Sequence, residues 1–442
     1  MSIRCLLFHA AATALLYSFF AYSIPSIPEN QHASVTVAEE VPGTISESHS
    51  STLVEANDGS LVVAWYQASG GETGAKIYLN RKTASGWGNR VKVGDDGNTN
   101  RNPVLFQPSN GPMLLYYHVG DDISSWRGYV KTSSDNGITW SSSKQLPSGY
   151  LGPIKNKPVE LPDGTLLMGS STESGHTWKV HMEKAPEGQY DGGTGWSKTG
   201  DLSVEGNNTE WGCIQPTILN HGNGKYQILC RGGASSPAYP FSAFSENSGN
   251  TWSSLSVIPD SPDAIYSPTR GGTGFDGVTL ENGKHVLIAN SHSSRRAGIS
   301  LYASDNGLNW TKMVEFMTPD DFPPNGLERI NPGSYSAVIQ TSDGMIHTTF
   351  TALERAKILH FVVDPSVLGI GDATVLHRNK EERLDRAHFS GFSSEKIEIY
   401  SLDGRNINKS LNTAKQSLSG GVYLLKVASK NGHSVHNKMI IQ

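Results

Sequence analysis

The 442-residue chain is weakly acidic, with a formal net charge of −5, and only 17% of its residues are charged. No segment concentrates lysine and arginine as a nucleic-acid-binding surface does, so we expect no nucleic-acid partner. Glycine is abundant, at 47 residues, which is typical of a chain with many tight turns. The length allows one large β domain and a second, small one.

Residues 1–25 have the layout of a secretory signal peptide. Arg4 precedes an apolar run from Leu6 to Tyr22, and small or polar residues follow. The alternative is a membrane anchor, but His9 interrupts the run, which is at the short end of what crosses a bilayer. We therefore expect a protein exported through the periplasm, secreted or at the cell surface, with no membrane span in the mature chain.

A two-residue turn signal recurs six times along the chain. Each copy is Asp-Gly or Asn-Gly, which supplies the positive φ angles of a tight β-hairpin, and β-prone runs flank it. The copies are Asp58-Gly59, Asn110-Gly111, Asp163-Gly164, Asn223-Gly224, Asn282-Gly283 and Asp343-Gly344. Their glycines lie 52, 53, 60, 59 and 61 residues apart. A period of about 55 residues suits one four-stranded blade of a β-propeller.

Tryptophans keep the same period. Trp87, Trp140, Trp196, Trp252 and Trp310 lie 53, 56, 56 and 58 residues apart. The sequence Ser133-Ser-Asp135-Asn-Gly137-Ile-Thr139-Trp140 resembles the Asp box, in which an acidic side chain caps its own turn and the tryptophan packs between strands. Two variants run from Ser245 to Trp252 and from Ala303 to Trp310, the latter with Asp305 at the acidic position.

Both markers predict an all-β fold, a six-bladed β-propeller over residues 36–366. The sixth repeat lacks the tryptophan, so we expect the segment Val35–Val41 to close the ring by pairing with the last blade. Residues 367–395 are rich in charge and are predicted to be a linker.

Residues 396–442 alternate as a small β-sandwich would. They resemble the sorting domain of the Bacteroidetes type IX secretion system, which implies the type IX secretion machinery as a partner. The alternative is a small carbohydrate-binding module.

Cys213 and Cys230 each lie about nine residues from the centre of one predicted hairpin turn, so they would face each other across its ladder. A disulfide and two free buried thiols both remain open. A zinc site is not expected with so few thiols.

Polar residues occupy the ends of the predicted strands that lie opposite the turns. Seven positions after the turn glycines stand Tyr66, His118, Ser171, Arg231, Asn290 and Thr351. Seven to ten positions before them stand His49, Arg101, Asn102, Lys155, Lys157, Gln215, Asp276 and Tyr335. The third blade adds Glu173, His176, Trp178 and His181, and the fifth adds Arg295 and Arg296. Lys155 and Lys157 alternate on one predicted strand and should point the same way. We expect these residues to form a pocket for an anionic sugar around the axis.

Residues 44–365 resemble the sialidase-like BNR-repeat family. The segments that carry the resemblance are His49-Ser-Ser-Thr52, Gly152-Pro-Ile-Lys-Asn-Lys-Pro158, Ile214-Gln-Pro-Thr217 and Tyr335-Ser-Ala-Val-Ile-Gln-Thr-Ser-Asp-Gly344. The resemblance implies a substrate-carboxylate arginine triad, an Asp acid/base and a Tyr nucleophile activated by Glu. Arg231 and Tyr335 match this set, whereas His49 stands in place of the first arginine and Gln215 in place of the activating glutamate. No Asp occurs between Gly70 and Lys76, where the acid/base is expected.

These departures disfavour sialic acid hydrolysis, because a glycosidase needs a carboxyl acid/base. Histidine, tyrosine and arginine suit β-elimination at a uronic acid of a polysaccharide such as ulvan, which gives an unsaturated uronate. The predicted catalytic residues are His49, His118, His181, Tyr335 and Arg231. The predicted substrate-binding residues are Arg101, Lys155, Lys157, Glu173, Gln215, Asp276 and Asn290.

Two alternatives stay open, an exo-acting glycoside hydrolase of sialidase type and a non-catalytic lectin. Glu173 and Asp276 would support the hydrolase if they faced each other across the channel at about 5–10 Å. We expect a monomer that binds an acidic oligosaccharide without a cofactor, and no spacing demands a metal ion.

Overall fold

Six antiparallel sheets, arranged as the blades of a propeller, form the body of the molecule in the computed structural model. The structure describes residues 34–174, 177–208, 211–233, 239–258, 273–291, 298–318 and 333–370, and the strands at 396–401, 421–428 and 434–441. Predictions for the signal segment, His176, Arg295, Arg296 and the linker beyond residue 370 lie outside these residues.

In the first three blades the strands follow one another in chain order. Blade 1 contains β2 (Ser48–Glu55), β3 (Leu61–Gln67), β4 (Lys76–Thr83) and β5 (Gly86–Trp87), with β6 (Val91–Gly94) also paired to β4. Blade 2 contains β7 (Asn100–Phe106), β8 (Met113–Val119), β9 (Arg127–Ser133) and β10 (Lys144–Gln145). Blade 3 contains β11 (Val159–Glu160), β12 (Leu166–Ser174), β13 (Thr177–Ala185) and β14 (Ser197–Lys198).

Blades 4 to 6 continue the pattern, and the last one takes its outer strand from the start of the propeller. Blade 4 contains β15 (Cys213–Gly222), β16 (Lys225–Gly232), β17 (Phe241–Ser245) and β18 (Ser256–Val257). Blade 5 contains β19 (Asp276–Thr279), β20 (His285–Asn290), β21 (Ile299–Ser304) and β22 (Thr311–Met317). Blade 6 contains β23 (Gly333–Gln340), β24 (Ile346–Ala352), β25 (Lys357–Val363) and β1 (Val35–Glu40).

Helical structure is minimal. Within the described ranges there are two single-turn 3₁₀ helices, at Ile123–Ser125 and Glu205–Asn207. No helix in those ranges is long and apolar enough to cross a membrane.

The strand pairing confirms two predictions about the ring. Each Asp-Gly or Asn-Gly turn joins the first and second strands of its blade, so all six turns lie on one face, here called the turn face. The opposite face, where the first strands begin and the second strands end, is called the channel face. The N-terminal strand β1 closes the ring by pairing antiparallel with β25, with Glu40 opposite Leu359. Such a closure leaves no open sheet edge between the first and last blades.

Local hydrogen bonds build the predicted Asp boxes on the turn face. In the first box, the Asp135 carboxylate accepts the Thr139 backbone N–H at 2.8 Å. The third box differs from the prediction, because the capping residue is Asn306, which accepts the N–H of Leu308 at 2.9 Å. Asp305 forms an ion pair with Lys284 instead. The serine-to-glycine spacing is one residue shorter there than in the first box, which moves the cap by one position.

Apolar side chains fill the spaces between neighbouring blades. One cluster joins blades 1 and 6 through the fully buried Trp65 together with Ala337 and Ile358. Cys213 and Cys230 are buried free thiols. Cys213 pairs with Gly232 across the ladder and not with Cys230, because the hairpin turns at Asn223-Gly224 and Cys213 lies farther from that turn than Cys230 does.

The C-terminal segment forms a separate three-stranded antiparallel sheet. Its strands are β26 (Lys396–Ser401), β27 (Gly421–Ala428) and β28 (Ser434–Ile441), in that order. The β character agrees with the sequence pattern, and its assignment as a type IX sorting domain stays a prediction.

Candidate active site

β-Bulges interrupt the first strands of four blades near the channel face. The pairing register shifts at each bulge. One non-glycine residue per bulge has a left-handed backbone, namely Ser50 (φ 54°), Asn102 (φ 47°), Gln215 (φ 56°) and Tyr335 (φ 55°). This conformation costs about 1–2 kcal/mol per residue, and bulges of this kind re-aim side chains beside functional sites. Gln215 and Tyr335 owe their orientation to it.

Four side chains meet at the axis and are here called the axial cluster: His49, Gln215, Arg231 and Tyr335. Arg231 Nη1 donates to Tyr335 Oη at 2.7 Å and to Gln215 Oε1 at 3.3 Å. Gln215 Nε2 lies 3.5 Å from Tyr335 Oη. The rings of His49 and Tyr335 are 4.3 Å apart between centroids. Because these residues come from blades 1, 4 and 6, their contact requires the closed ring.

Two of the cluster's residues are also supported from behind. Nδ1 of His49 hydrogen-bonds Thr351 Oγ1 at 2.8 Å, and its ring stands edge-on to Tyr66. The Arg231 guanidinium lies 5.2 Å from the Trp178 ring, a distance at which a cation and an aromatic face attract. These supports hold the histidine and the arginine in one orientation each.

Lys155 lies beneath the cluster and ties blades together. Its Nζ donates to the carbonyls of Ser336 (2.7 Å) and Phe275 (3.1 Å) and to Asn156 Oδ1 (2.8 Å). All three N–H bonds of the ammonium are therefore directed at protein acceptors. Burial lowers the pKa of Lys155 to about 7, against the attraction of Asp276. Its ammonium lies 5.9 Å from the Tyr335 ring, so its positive charge acts from below the site.

Lys157 and Asp276 form a buried ion pair at 2.9 Å. The Asp276 carboxylate also accepts Thr217 Oγ1 at 2.9 Å and the Val338 N–H at 3.0 Å, which links blades 4, 5 and 6. The prediction that Lys155 and Lys157 alternate on one strand is wrong, because residues 151–158 are irregular and the strand begins at Val159. Both lysines nevertheless reach towards blade 5.

The three predicted catalytic histidines occupy different surroundings. His49 belongs to the axial cluster. His118 is fully buried, its Nε2 bonds the Leu151 carbonyl at 3.0 Å, and its ring stacks on Trp126. Burial lowers the pKa of His118 to about 4, so it stays neutral near pH 7. His181 lines a cavity between blades 2 and 3, and its Nε2 forms a hydrogen bond with Glu183 Oε1 at 2.9 Å.

Two carboxyl groups that act on each other electrostatically border the axial cluster. Glu72 is paired with Arg355 at 2.9 Å and with Arg101 at 3.5 Å. Burial raises the pKa of Glu173, the charge of Glu72 adds to that rise, and Arg231 opposes it. The charged neighbours of Glu173 are thus Arg231 and Glu72, whereas the Asp276 carboxylate is engaged with Lys157 and blade 6.

Asn290 ties blades 5 and 6 together. Its Nδ2 donates to the carbonyls of Gly298 and Gly333, each at 2.9 Å. Among the described residues, no group of three or more His, Cys, Asp and Glu side chains is placed to hold a metal ion.

The sequence reasoning did not single out Glu72, Arg355, Trp126 or Glu183. Glu72 lies between Gly70 and Lys76, where the family resemblance implies an aspartate as the acid/base. A glutamate at that place carries the same carboxyl group, and this signal points to Glu72. Arg355 ends a run of three residues with positive φ, from Leu353 to Arg355, in the loop after the last inner hairpin. No short sequence motif predicts such a turn.

Comparison with known proteins agrees with this architecture. Residues 59–348 match the model of the BNR repeat-like domain. No curated protein matches the chain.

Several solved structures share the fold at low sequence identity. One is a protein of unknown function from Dyadobacter fermentans (11% identity, TM-score 0.57, 74% of this chain and 99% of that one). Another is the NanB sialidase of Streptococcus pneumoniae (12%, 0.54, 75% and 71%). A third is an α-L-arabinanase of Penicillium chrysogenum (15%, 0.52, 75% and 99%). At these identities the likeness shows the fold alone.

The family match covers more than half of the 442 residues and contains four of the six turn-marked hairpins in full. The chain therefore belongs to the BNR repeat-like domain family, as a six-bladed β-propeller.

Proposed function

We propose that this protein is a carbohydrate-active enzyme that binds an acidic sugar at the axial cluster and acts by β-elimination at a uronic acid residue. The observation that carries the proposal is the contact of an arginine, an amide, a tyrosine and a histidine in one cluster. Sialidase and arabinanase structures share the fold, which supports action on a glycan but not a particular reaction.

The first requirement of elimination is a neutralised carboxylate. Removing the proton at C5 of a uronate moves negative charge onto its carboxylate, and fixed donors lower the barrier where that charge develops. The Arg231 guanidinium and the Gln215 side-chain amide are adjacent donors of that kind. Below about pH 7, where its buried amine is protonated, Lys155 adds a positive charge from beneath Tyr335.

The second requirement is a base and an acid close together. His49 takes the C5 proton, the C5–H electrons form the C4–C5 double bond, and the C4–O4 bond breaks. Tyr335 donates its phenolic proton to O4, and the proton held by His49 then restores Tyr335 through solvent. The product is an unsaturated uronate. If the O4 group is a sugar the enzyme is a lyase, and if it is a hydroxyl the enzyme is a dehydratase.

Glycoside hydrolysis is the second candidate, favoured by the pair Glu72 and Glu173. One carboxyl has a raised pKa, as a general acid requires, and the other is paired with two arginines, as a base or nucleophile requires. The Tyr335–Arg231 contact would then orient the substrate.

The test is ultraviolet absorbance of the conjugated double bond during incubation with uronate oligosaccharides such as those of ulvan. Reporters carrying a sialoside and an arabinoside run in parallel. We expect product formation that falls about 10²–10³-fold in Arg231→Ala and about 10²–10⁴-fold in Tyr335→Phe. Arg81→Ala, which removes a half-buried arginine paired with Asp58 near the turn face, is the matched control and should keep full activity.

Release of a reporter without any unsaturated product would overturn elimination in favour of hydrolysis. Binding of uronate oligosaccharides without any turnover would instead identify a lectin.

We also propose that the protein is exported and that residues 396–442 act as a type IX sorting domain. The signal-peptide layout of residues 1–25 and the sequence pattern of the tail support this. Cell fractionation with sequencing of the mature N-terminus tests it. A start near residue 26 outside the cytoplasm is expected, and an intact Met1 in the cytoplasm would contradict it.

A further inference from the structure

A cavity of about 550 Å³ lies between blades 2 and 3 and adjoins the axial cluster. Two of its lining residues face the axis. Ser171 Oγ accepts the Gln215 backbone N–H at 3.2 Å, and the Glu173 carboxyl lies within the field of Arg231. Small-molecule sites have volumes of about 300–1,000 Å³. A ligand held by the axial cluster therefore has room to continue into this cavity.

The cavity contains a histidine whose orientation is fixed from behind. His181 lines the cavity, but its partner Glu183 does not. The Glu183 carboxylate is completely buried and accepts the N–H groups of Leu151 (3.0 Å) and Gly152 (2.8 Å) besides His181 Nε2. A carboxylate held by two backbone donors is an acceptor, so the proton of the neutral ring belongs on Nε2.

This arrangement leaves Nδ1 of His181 as a hydrogen-bond acceptor. The residue is only 4% exposed, and no hydrogen bond joins its Nδ1 to another residue in the described ranges. Because His181 lines the cavity, its Nδ1 is available to a hydrogen-bond donor that enters there. A sugar hydroxyl is a donor of the right kind.

Aromatic side chains complete the wall. Trp126 is held by stacking on His118 at 5.4 Å, and Tyr150 is held edge-on to Trp196 at 5.6 Å. Both line the cavity. Rigid aromatic surfaces beside a few oriented polar groups are typical of sites for small polar ligands.

We propose that the cavity between blades 2 and 3 is a subsite for the sugar residue that neighbours the uronate, with His181 Nδ1 accepting a hydroxyl of that residue. The substrate is then at least a disaccharide. Glu183 is a positioning residue, because it acts only through the orientation of His181. The inference rests on uronate binding at the axial cluster as proposed above.

Calorimetric titration of the Tyr335→Phe protein, which should turn substrate over about 10²–10⁴-fold more slowly than the parent protein, tests the subsite. The probes are glucuronate alone and a disaccharide with rhamnose on O4 of glucuronate. We expect the disaccharide to bind at least about tenfold more tightly, which corresponds to about 1.4 kcal/mol.

Two substitutions of His181 give opposite expectations. In His181→Gln the amide can keep the bond to Glu183 but has no atom at the Nδ1 position, so the disaccharide should lose about threefold to tenfold in affinity. In His181→Asn the amide stands near the Nδ1 position, so more of the affinity should remain. Glucuronate affinity should stay the same in both variants, which reports that the axial cluster is intact.

An equal affinity for the two probes, or an equal loss in both variants, would overturn the subsite while leaving uronate binding in place. Failure of the proposed function has a different signature, because glucuronate affinity would then be undetectable or indifferent to Arg231→Ala. In that case the subsite proposal fails together with the function on which it rests.

Discussion

The two faces of this propeller differ in how much they repeat. On the turn face, the tryptophans of the three Asp boxes each donate Nε1–H to the glycine carbonyl of their box at 3.2 Å. On the channel face, the equivalent positions of the six blades carry six different residues, from Tyr66 in blade 1 to Thr351 in blade 6.

The difference separates structural residues from functional ones. The repeated contacts are local, so each one stabilises its own hairpin and has the same form in every blade that contains it. The channel face is where the blades meet, so each position there has its own neighbours. Variation among equivalent positions therefore marks the site in this fold, and repetition marks the scaffold.

The contrast between the two faces has exceptions, because some channel-face residues are structural. Asp276 is the strongest of these exceptions. Asp276→Ala should lower the free energy of unfolding by about 3–5 kcal/mol, because Lys157 is left largely buried without its counter-charge. In the turn-face pair Arg81–Asp58 the cation is equally buried, but the Asp58 carboxylate is 41% exposed against 3% for Asp276, so Asp58→Ala should cost less, about 1 kcal/mol. Urea denaturation of both variants measures the contrast. Equal losses would contradict the assignment of Asp276 as a tie between blades.

A largely buried histidine pair beside β1 gives a second test of the contrast between the two faces. The pair helps to close the ring and has no part in the proposed reaction. His347 Nδ1 and His360 Nε2 are 3.1 Å apart, and His360 Nδ1 contacts Glu39 of β1 at 2.8 Å. Burial lowers the pKa of His347 from 6.5 to about 3. Between pH 6.5 and about 3, His347 is therefore protonated in the unfolded chain and neutral in the folded chain. The contribution of neutral His347 to the stability of the fold is complete above pH 6.5 and declines as the pH falls towards 3.

We expect His347→Gln to flatten the dependence of unfolding free energy on pH between these limits, by up to about 1.4 kcal/mol per pH unit. Denaturation at a series of pH values measures it. Parallel profiles for the variant and the parent protein would contradict the prediction, because His347 would then have the same pKa in the folded and unfolded chains.

The smallest effect is expected in the first Asp box. Hydrogen bonds from the Thr139 hydroxyl and backbone lower the pKa of Asp135 to about 2. Because the folded pKa is below the ordinary 3.8, the contribution is present above pH 3.8 and is lost as the pH falls towards 2. Asn247 holds the same position in the second box and accepts the Thr251 N–H at 2.9 Å. The Asp135→Asn variant should therefore fold as the parent protein does. On acidification it should lose slightly less stability than the parent protein, which thermal denaturation at a series of pH values measures. A steeper acid decline in the variant would contradict this.

Much of the candidate site could be listed from the sequence, but its internal arrangement could not. Counting from the turn glycines placed His49, Gln215, Arg231 and Tyr335 at the channel ends of their strands, and the structure brings them together. The same counting placed Lys155 among the substrate-binding residues, where the structure shows three bonds to protein acceptors instead. Position along a strand indicates the face, and only the packed neighbours decide whether a polar group is satisfied.

The sequence by itself determined the number of blades, the turn face and the strand that closes the ring. These features depend on contacts a few residues apart, such as an Asn-Gly turn or the cap at Asp135, or on a period that the whole chain repeats. The tertiary structure alone decided the left-handed bulges at Gln215 and Tyr335, the shift of the third cap to Asn306 and the pairing of Glu72 with Arg101 and Arg355. The Glu72 pairs join residues of different blades, so their geometry depends on the closed ring. Each bulge lies within one hairpin, but no turn motif or repeat in the sequence marks its position. The shifted cap depends on one residue of spacing that the motif does not reveal.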